Sequence, residues 1–177
     1  MIKESKKYIH WNYFLSIEVD VENLARYVEF TKDNFSTYSI EMARLLLSAS
    51  SEVDVVAKLL CKKINNESRA ENINDYKAIL DSAYPDLKNI EILLRKYGLT
   101  FTPWSNWAKN KTPLWWTKYN AVKHELDKNY EAANLKNTLN CVAALYVILL
   151  HYYQEDYSEG NLQPPSTLFR VADEYVI

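Results

Sequence analysis

The chain has 177 residues, 48% of them hydrophobic, which fits one domain with a sizeable core. Only two glycines occur, Gly98 and Gly160, which excludes the glycine-rich phosphate-binding loops and argues against a β-rich fold. Charged residues make up 25% and the net charge is −2, which argues against a strongly basic nucleic-acid coat but allows a local basic site.

The apolar and cysteine patterns are typical of a cytoplasmic protein. The longest apolar run, residues 141–150, is far shorter than the ~20 residues of a membrane-spanning helix, and no apolar stretch follows the N-terminal lysines as in a secretory signal. Cys61 and Cys141 each lie in an apolar helical pattern, which favours reduced thiols in the core over a disulfide. We expect no metal, since the zinc-site spacings are missing, and no cofactor or membrane partner.

Two amphipathic helices are predicted before residue 65. Residues 8–31 carry an apolar stripe at steps of three and four, formed by Ile9, Tyr13, Ile17, Val21, Leu24 and Val28. After a polar break, Ser39 can cap a second helix that reaches about residue 64. Its stripe has the same spacing and consists of Met42, Leu46, Ala49, Val53, Val56 and Leu60.

The middle of the chain is more varied. A shorter helix is predicted over residues 73–83, because Pro85 follows and disfavours its continuation. Residues 87–103 fit both helical spacing and strand alternation, and Gly98 suits either a helix C-cap or a turn; we favour a small β-hairpin. Residues 104–116 contain four of the five tryptophans without any period, which predicts a loop pinned by aromatic burial.

Two further helices and a tail complete the predicted elements. A helix over residues 115–128 is striped by Trp115, Tyr119, Val122 and Leu126. The last long helix covers 131–153, and its stripe consists of Leu135, Leu139, Val142, Tyr146, Leu149 and Tyr153. From Cys141 onward its opposite face is also apolar, so this half is either the centre of a bundle or a subunit interface. Residues 154–177 are predicted to form a mostly extended tail with one short element at 167–176.

Together these patterns predict one all-α domain over residues 1–177, an up-and-down helical bundle with two long helices and a small β-hairpin. The two long helices have matching stripes, so we expect them to pack side by side and antiparallel or nearly so. The apolar surface of residues 141–150 exceeds what one small bundle face covers, which predicts a homodimer.

Residues 115–126 carry the chemistry of greatest interest. Asn120 and His124 are four apart and share a helix face, with Lys123 beside them and Lys118 near the helix start. An amide, an imidazole and two ammonium groups suit a phosphodiester, because His transfers a proton and Lys offsets phosphate charge. The alternative is a structural His on an ordinary amphipathic helix.

Three stretches resemble bacterial HEPN-like proteins: WWTKYNAVKH, the following ANLKN with its apolar helix, and the upstream SIEMARLLLSASSEVDVVAKLLC. The resemblance implies a helical up-and-down bundle, usually dimeric. It also implies a metal-independent ribonuclease of a toxin–antitoxin or phage-defence system, or a domain that only binds nucleotides or partners such as an antitoxin or a nucleotidyltransferase. The family's signature is Arg, four to six residues, then His. Here His124 matches the His, Lys118 replaces the Arg and loses its planar fork, and Asn120 is the polar residue.

Asp54 and Lys58, four apart in SSEVDVVAK, form a second candidate. HEPN-like proteins often place an acid and a Lys at such spacing beside the His site, so the resemblance implies that this pair holds the His or the substrate. The alternative is an ordinary ion pair on the helix surface, worth a few tenths of a kcal/mol.

The tryptophan-rich loop is a third candidate. Lys109 and Lys111 lie among its tryptophans, and aromatic rings with lysines can stack on and neutralise single-stranded RNA. The alternative is that the indoles fill gaps over the core. The predicted substrate-binding residues are Lys123, Trp116, Tyr119 and Lys111.

The sequence leaves two hypotheses. In the first, the chain binds or cleaves RNA, with catalytic residues His124, Lys118, Asn120, Asp54 and Lys58, and His124 assists the attack of a ribose 2′-OH on its own phosphate without a metal. In the second, it is a non-catalytic helical module that binds a partner protein.

Overall fold

The computed structural model describes residues 6–175, in which helices predominate, as predicted. The helices are α1 (Ile9–Leu24), α2 (Ile40–Ile64), α3 (Ile73–Ala83), α4 (Leu114–His124), α5 (Leu126–Asn129), α6 (Leu135–Tyr152) and α7 (Gln154–Ser158). The strands are β1 (Ile92–Leu94), β2 (Leu99–Phe101) and β3 (Arg170–Val171), which form a small antiparallel sheet in the order β2–β1–β3.

Helix α6 is the centre of the fold. Every side chain from residue 141 to residue 150 is buried, and α1, α2 and α4 pack around the helix. An all-round apolar helix must be covered, and here the chain's own helices cover it. The argument for a dimer from this run is therefore wrong, although a homodimer itself stays a prediction. Among residues 6–175, no helix has the length and apolarity that crossing a bilayer requires.

The two long helices pack side by side as predicted, but they run parallel. At one end the Leu135 N–H donates to the Thr37 carbonyl (2.9 Å), and the Thr138 hydroxyl donates to the Met42 carbonyl (3.3 Å). At the other end Lys63 Nζ donates to the Tyr152 carbonyl (3.0 Å). Because both chains advance in the same direction between these contacts, the antiparallel expectation is wrong.

Helix α1 explains this direction. It is antiparallel to α2, because Asp20 pairs with Arg44 while His10 pairs with Glu52. It is also antiparallel to α6, where the rings of Tyr8 and Tyr153 meet edge to face. Two helices that both run against a third are parallel to each other, and the 70 residues between α2 and α6 make the return crossing.

The buried face of α1 is rotated from the predicted one. Ile17, Val21 and Leu24 are buried as predicted, but Ile9 and Tyr13 are 68% and 44% exposed. Trp11 and Phe14 take their place, because these rings stack on each other and bury more apolar surface. The helix also ends at Leu24 rather than near residue 31, and a turn then brings Val28 onto the core.

The predicted helix over residues 115–128 is divided in two. The backbone of Glu125 leaves the helical region (φ −145°, ψ 67°), so α4 ends at His124 and α5 begins at Leu126. The side-chain amide of Asn129 donates to the Glu125 carbonyl (3.0 Å) and caps the break. As a result, Leu126 is 45% exposed instead of lying in the buried stripe.

The predicted hairpin is confirmed by β1 and β2, with Gly98 at positive φ (61°) in the turn between them. The sequence does not predict its pairing with β3, which lies inside the element expected at 167–176; Val176 is outside the described residues. The tail is less extended than predicted, since α7 opens it and Leu168 and Phe169 are buried.

The thiols of Cys61 and Cys141 are free and buried, as predicted. Burial raises the pKa of Cys61 to about 11 and that of Cys141 to about 12, so both stay protonated near neutral pH. The Cys141 thiol also lies 2.9 Å from the Ser50 hydroxyl, between α2 and α6.

Two isoleucines of α1 test the rotated face. Ile17 is 4% exposed and Ile9 is 68% exposed. We expect Ile17→Ala to lower the free energy of unfolding by about 2–5 kcal/mol, because it removes buried methyl groups and leaves a cavity. Ile9→Ala is the matched control and should change it by less than about 0.5 kcal/mol. Denaturant unfolding measures both, and equal losses would contradict this packing.

Candidate functional site

Helix α4 has one apolar and one polar side. Its buried residues are Trp115, Trp116, Tyr119 and Val122. Lys118 and Asn120 are half-buried, while Lys123 and His124 are exposed. Lys123 lies over the Tyr119 ring, 5.5 Å from its centroid. Within residues 6–175, the side chains of Lys118, Asn120 and His124 form no hydrogen bond or ion pair. Their polar groups are therefore available to bind a ligand.

Helical geometry brings together only part of the predicted set. Asn120 and His124 are four residues apart in one continuous helix, which leaves them about 40° apart around its axis. Lys118 is two residues from Asn120, or about 160° away. The helix therefore places Asn120 and His124 on one face, and Lys118 reaches that face only through its long side chain. A common cleft for all three stays a prediction.

Asp54 and Lys58 are joined to each other and to α3. The Asp54 carboxylate accepts hydrogen bonds from Lys58 Nζ (2.8 Å) and from the Tyr76 hydroxyl (2.7 Å). Burial, with the carboxylate beside it, raises the pKa of Tyr76, so its hydroxyl remains a donor. No hydrogen bond in the described part of the chain joins Asp54 or Lys58 to α4. The contacts therefore favour the ion-pair interpretation, with Asp54 tethering α3 to α2.

The tryptophan-rich loop is closed over the core. Trp104 and Trp115 are buried, and their indole N–H groups donate to the carbonyls of Ala144 (3.3 Å) and Pro103 (2.9 Å). Trp116 and Tyr119 are 7% and 6% exposed, which favours packing over stacking on a ligand. Of the tryptophans and lysines proposed to bind RNA in this loop, only the lysines are exposed.

Residues 92–124, here called the acid-free segment, contain a signal that the whole-chain charge hides. This stretch has no Asp or Glu in a chain whose net charge is −2. Its six cations are Arg95, Lys96, Lys109, Lys111, Lys118 and Lys123. Charge counted in windows along the sequence would have revealed it, whereas the sum over the chain did not.

The structure leaves most of these cations unpaired. In the described part of the chain, Lys109, Lys111 and Lys118 have no ion pair or side-chain hydrogen bond, and Arg95 has only the exposed Asp173 at 3.2 Å. Lysines elsewhere are often paired, as Lys77 and Lys88 are with Asp81. The acid-free segment therefore presents cationic charge that the fold does not neutralise.

A second imidazole was missed by sequence reasoning. His10 Nδ1 lies 2.5 Å from Glu52 Oε1, and both side chains are largely buried between α1 and α2. A carboxylate on one ring nitrogen orients an imidazole and leaves its other nitrogen to exchange protons. The partners are 42 residues apart, so no local pattern could have paired them. In the fold the pair also fastens α1 to α2.

The third histidine is structural. His151 is 5% exposed, its Nδ1 lies 2.8 Å from the Val147 carbonyl, and its ring meets Tyr84 edge to face. Burial lowers its pKa below the usual 6.5, so the ring is neutral in the folded chain. Of the three histidines, only His124 is exposed.

Metal-ligating groups and similar proteins add no further constraint. Within residues 6–175, no three His, Cys, Asp or Glu side chains are arranged to hold a metal ion. Comparison with protein-family models, with curated proteins and with solved structures finds no match to this chain. The HEPN-like interpretation therefore depends on the quoted motifs alone.

His151 should make stability depend on pH. The pKa of His151 is lower in the folded chain than in the unfolded chain, so at mildly acidic pH the unfolded chain binds a proton that the folded chain does not. The stability from the neutral ring is complete above the unfolded pKa of about 6.5 and is lost as the pH falls from there toward the folded pKa. We expect the free energy of unfolding, measured between pH 8 and pH 5, to fall less in His151→Gln than in wild type. His124→Ala is the exposed control and should follow wild type; equal slopes for His151→Gln and wild type would contradict the assignment.

Proposed function

We propose that this chain is a HEPN-like domain that binds RNA through the α4 part of the acid-free segment and cleaves it without a metal. One observation carries the proposal: the exposed or half-buried lysines of residues 109–124 have no carboxylate partner in the described structure. The sequence supplies no acid there either. Unpaired cations on one segment are the basis of phosphate-backbone binding.

The position of these lysines suits a flexible strand. Lys109 and Lys111 precede α4, and Lys118 and Lys123 follow at successive turns of the helix. The buried indoles beneath them hold the helix and its loop rigid. The lysines therefore bind phosphates from a fixed scaffold, and the base identity has little influence because the aromatic rings are not exposed for stacking.

His124 supplies the chemistry in this proposal. As general base its imidazole takes the proton of a ribose 2′-OH, and the oxygen attacks the adjacent phosphorus. The bond from phosphorus to the 5′ oxygen breaks, and that oxygen takes up a proton, which leaves a 2′,3′-cyclic phosphate and a 5′-hydroxyl. Asn120, on the same helix face, orients the phosphate, and Lys123 offsets its charge.

The resemblance also provides the biological setting that we propose. HEPN-like ribonucleases act in toxin–antitoxin or phage-defence systems, so a cognate antitoxin or nucleotidyltransferase is the proposed protein partner and a homodimer is the proposed assembly. Lys118 replaces the family's Arg and binds phosphate through one point rather than two, which predicts weaker binding than an Arg would give.

A second candidate function, the non-catalytic partner-binding module, is favoured by an apolar groove of about 520 Å³ between α2 and α5. Ile40 is 79% exposed beside it, and Leu126 is 45% exposed. Arg44, which is already paired with Asp20 and Glu41, and Asp127 flank the groove. A two-fold dimer over this groove would cover the exposed Ile40 and Leu126 of both copies, so a second copy is the occupant we propose.

The experiment compares wild type with His124→Ala, using single-stranded RNA in EDTA. We expect wild type to give products with 2′,3′-cyclic phosphate ends, and His124→Ala to lose cleavage by at least about 100-fold while keeping RNA affinity. Its melting temperature should change little, because an exposed side chain contributes little to stability. Lys62→Ala, an exposed lysine of α2 outside the acid-free segment, is the control and should cleave like wild type.

Three results would contradict the proposal in different ways. Undiminished cleavage by His124→Ala would move the catalytic site elsewhere. RNA binding without cleavage in wild type would remove the nuclease and keep the binding function. Neither binding nor cleavage in wild type would favour the partner-binding module.

A further inference from the structure

A cavity of about 420 Å³ opens between the helical body, the sheet and the tail. Trp11 of α1 and Tyr146 of α6 form its inner side, and Phe169 closes it from the tail. Leu93 and Arg170 are cross-strand partners in β1 and β3, and both line it, as partners on one sheet face do. This volume is in the range of small-molecule sites and larger than an inorganic anion needs.

The outer rim of the cavity is cationic. Arg95, Lys96 and Arg170 line it, and all three are exposed. Asp173 lies 3.2 Å from Arg95 and partly neutralises it. Arg170 has no ion pair in the part of the chain that the structure describes, and Lys96 has only the Tyr97 ring near its ammonium group. Two cations are therefore left for an anionic group at the mouth.

The inner side carries a hydroxyl without a partner. Tyr146 is only 5% exposed, and its hydroxyl forms no hydrogen bond among residues 6–175. Every fully buried side-chain nitrogen or oxygen atom in that part of the chain has a hydrogen-bond partner, so the Tyr146 hydroxyl is not fully buried. The hydroxyl must therefore reach the cavity that the residue lines. Burial raises the pKa of Tyr146 although Arg170 opposes the shift, so the hydroxyl is a donor. Tyr157, 38% exposed on α7, adds a ring at the edge.

A buried carboxylate holds the outer wall of the cavity in place. Glu18 of α1 is 3% exposed and accepts hydrogen bonds from the Ser166 hydroxyl, the Thr167 N–H (3.2 Å) and the Leu168 N–H (3.0 Å). The Trp11 indole donates to the Pro164 carbonyl (2.9 Å) and fixes the same stretch. The wall is thus organised before any ligand binds, which lowers the entropic cost of binding. The hydrogen-bond donors around Glu18 partly offset its negative charge, which reduces the repulsion between this carboxylate and a bound anion.

We propose that this cavity binds a nucleoside 5′-phosphate, either a free nucleotide or the phosphorylated end of an RNA. Arg170 and Lys96 hold the phosphate at the rim. The base lies behind the rim, where the Tyr157 ring at the edge offers a stacking face and the Tyr146 hydroxyl on the inner side donates a hydrogen bond. A planar group with an attached anion matches an aromatic interior behind a cationic mouth, whereas phosphate alone would leave the interior unused.

This site is independent of the proposed function. None of the α4 residues lines the cavity, and the nucleotide contacts come from α6, α7, β3 and the turn between β1 and β2. If His124→Ala does not affect cleavage, the proposed nucleotide site at Arg170 is not contradicted. If the cavity does not bind a nucleotide, the proposed RNA-binding surface on α4 is not contradicted either.

Isothermal titration calorimetry tests the site with five probes: adenosine 5′-monophosphate, adenosine, inorganic phosphate, a short RNA with a 5′-phosphate and the same RNA without it. We expect the monophosphate to bind at least about tenfold more tightly than adenosine or phosphate, because only it fills both halves of the site. Arg170→Ala should weaken it by about tenfold or more, and Tyr146→Phe, which keeps the ring, by a few-fold. Arg69→Ala removes an exposed cation in another loop and should bind as wild type does.

The RNA arm separates the two sources. Binding that depends on the 5′-phosphate of the RNA supports an RNA end as ligand, and binding of the monophosphate alone supports a free nucleotide. The proposal is overturned if neither binds, if Arg170→Ala binds as tightly as wild type, or if adenosine or phosphate binds as tightly as the monophosphate. Circular dichroism of each variant confirms that a loss of binding is not a loss of fold.

Discussion

The rest of the structure depends on the need to cover α6. Its residues 141–150 are apolar on every side, and a helix of that kind is stable in water only when neighbours enclose it completely. Helix α2 runs along it in the same direction, α1 crosses back over both, and α4 closes a further side. Because α4 must turn its tryptophans inward to do this, its lysines and His124 are left at the surface. The candidate site is thus a consequence of how the core is enclosed.

The distribution of charge gives that surface its character. Elsewhere in the chain, acids such as Asp54, Asp81 and Asp156 pair with nearby lysines and neutralise part of the cationic charge. The acid-free segment has no such acids, so its cations keep their charge available to an external anion. Lys96, a cation of the same segment in the hairpin, lies at the mouth of the proposed nucleotide cavity and adds positive charge there. The two anion-binding sites that we propose therefore lie on a chain that is acidic overall.

Local sequence signals predicted local structure well. Helices α2 and α3 match their predictions because the Ser39 and Asn72 side chains cap their first turns and Pro85 follows α3. The face of α1 was wrong because two overlapping apolar stripes are present, and only packing decides that Trp11 enters the core and Ile9 does not. The spacing of apolar residues could not predict that α2 and α6 run parallel, because an apolar stripe looks the same for either direction of the chain.

The site was predictable only as far as it lies on one helix. The spacings of Asn120 with His124 and of Asp54 with Lys58 are visible in the sequence, but the Tyr76 partner of Asp54 and the Glu52 partner of His10 lie 22 and 42 residues away and depend on the tertiary fold. The nucleotide cavity depends on β3 pairing with β1, which the sequence did not reveal. Sequence reasoning therefore identified α4, while contacts between distant segments had to be observed.

The salt dependence of RNA binding tests the central claim most directly. One variant replaces the lysines of residues 109–124 with Gln: Lys109, Lys111, Lys118 and Lys123. A matched variant replaces exposed cations outside the acid-free segment: Arg26, Lys32, Lys62 and Arg69. Each lysine that contacts a phosphate of single-stranded RNA should contribute about 0.7 to the slope of log K against log salt concentration. The account predicts that the first variant flattens the slope by about 2–3 and that the matched variant retains it. Equal slopes in the two variants would show that charge in general, and not the acid-free segment, binds the RNA.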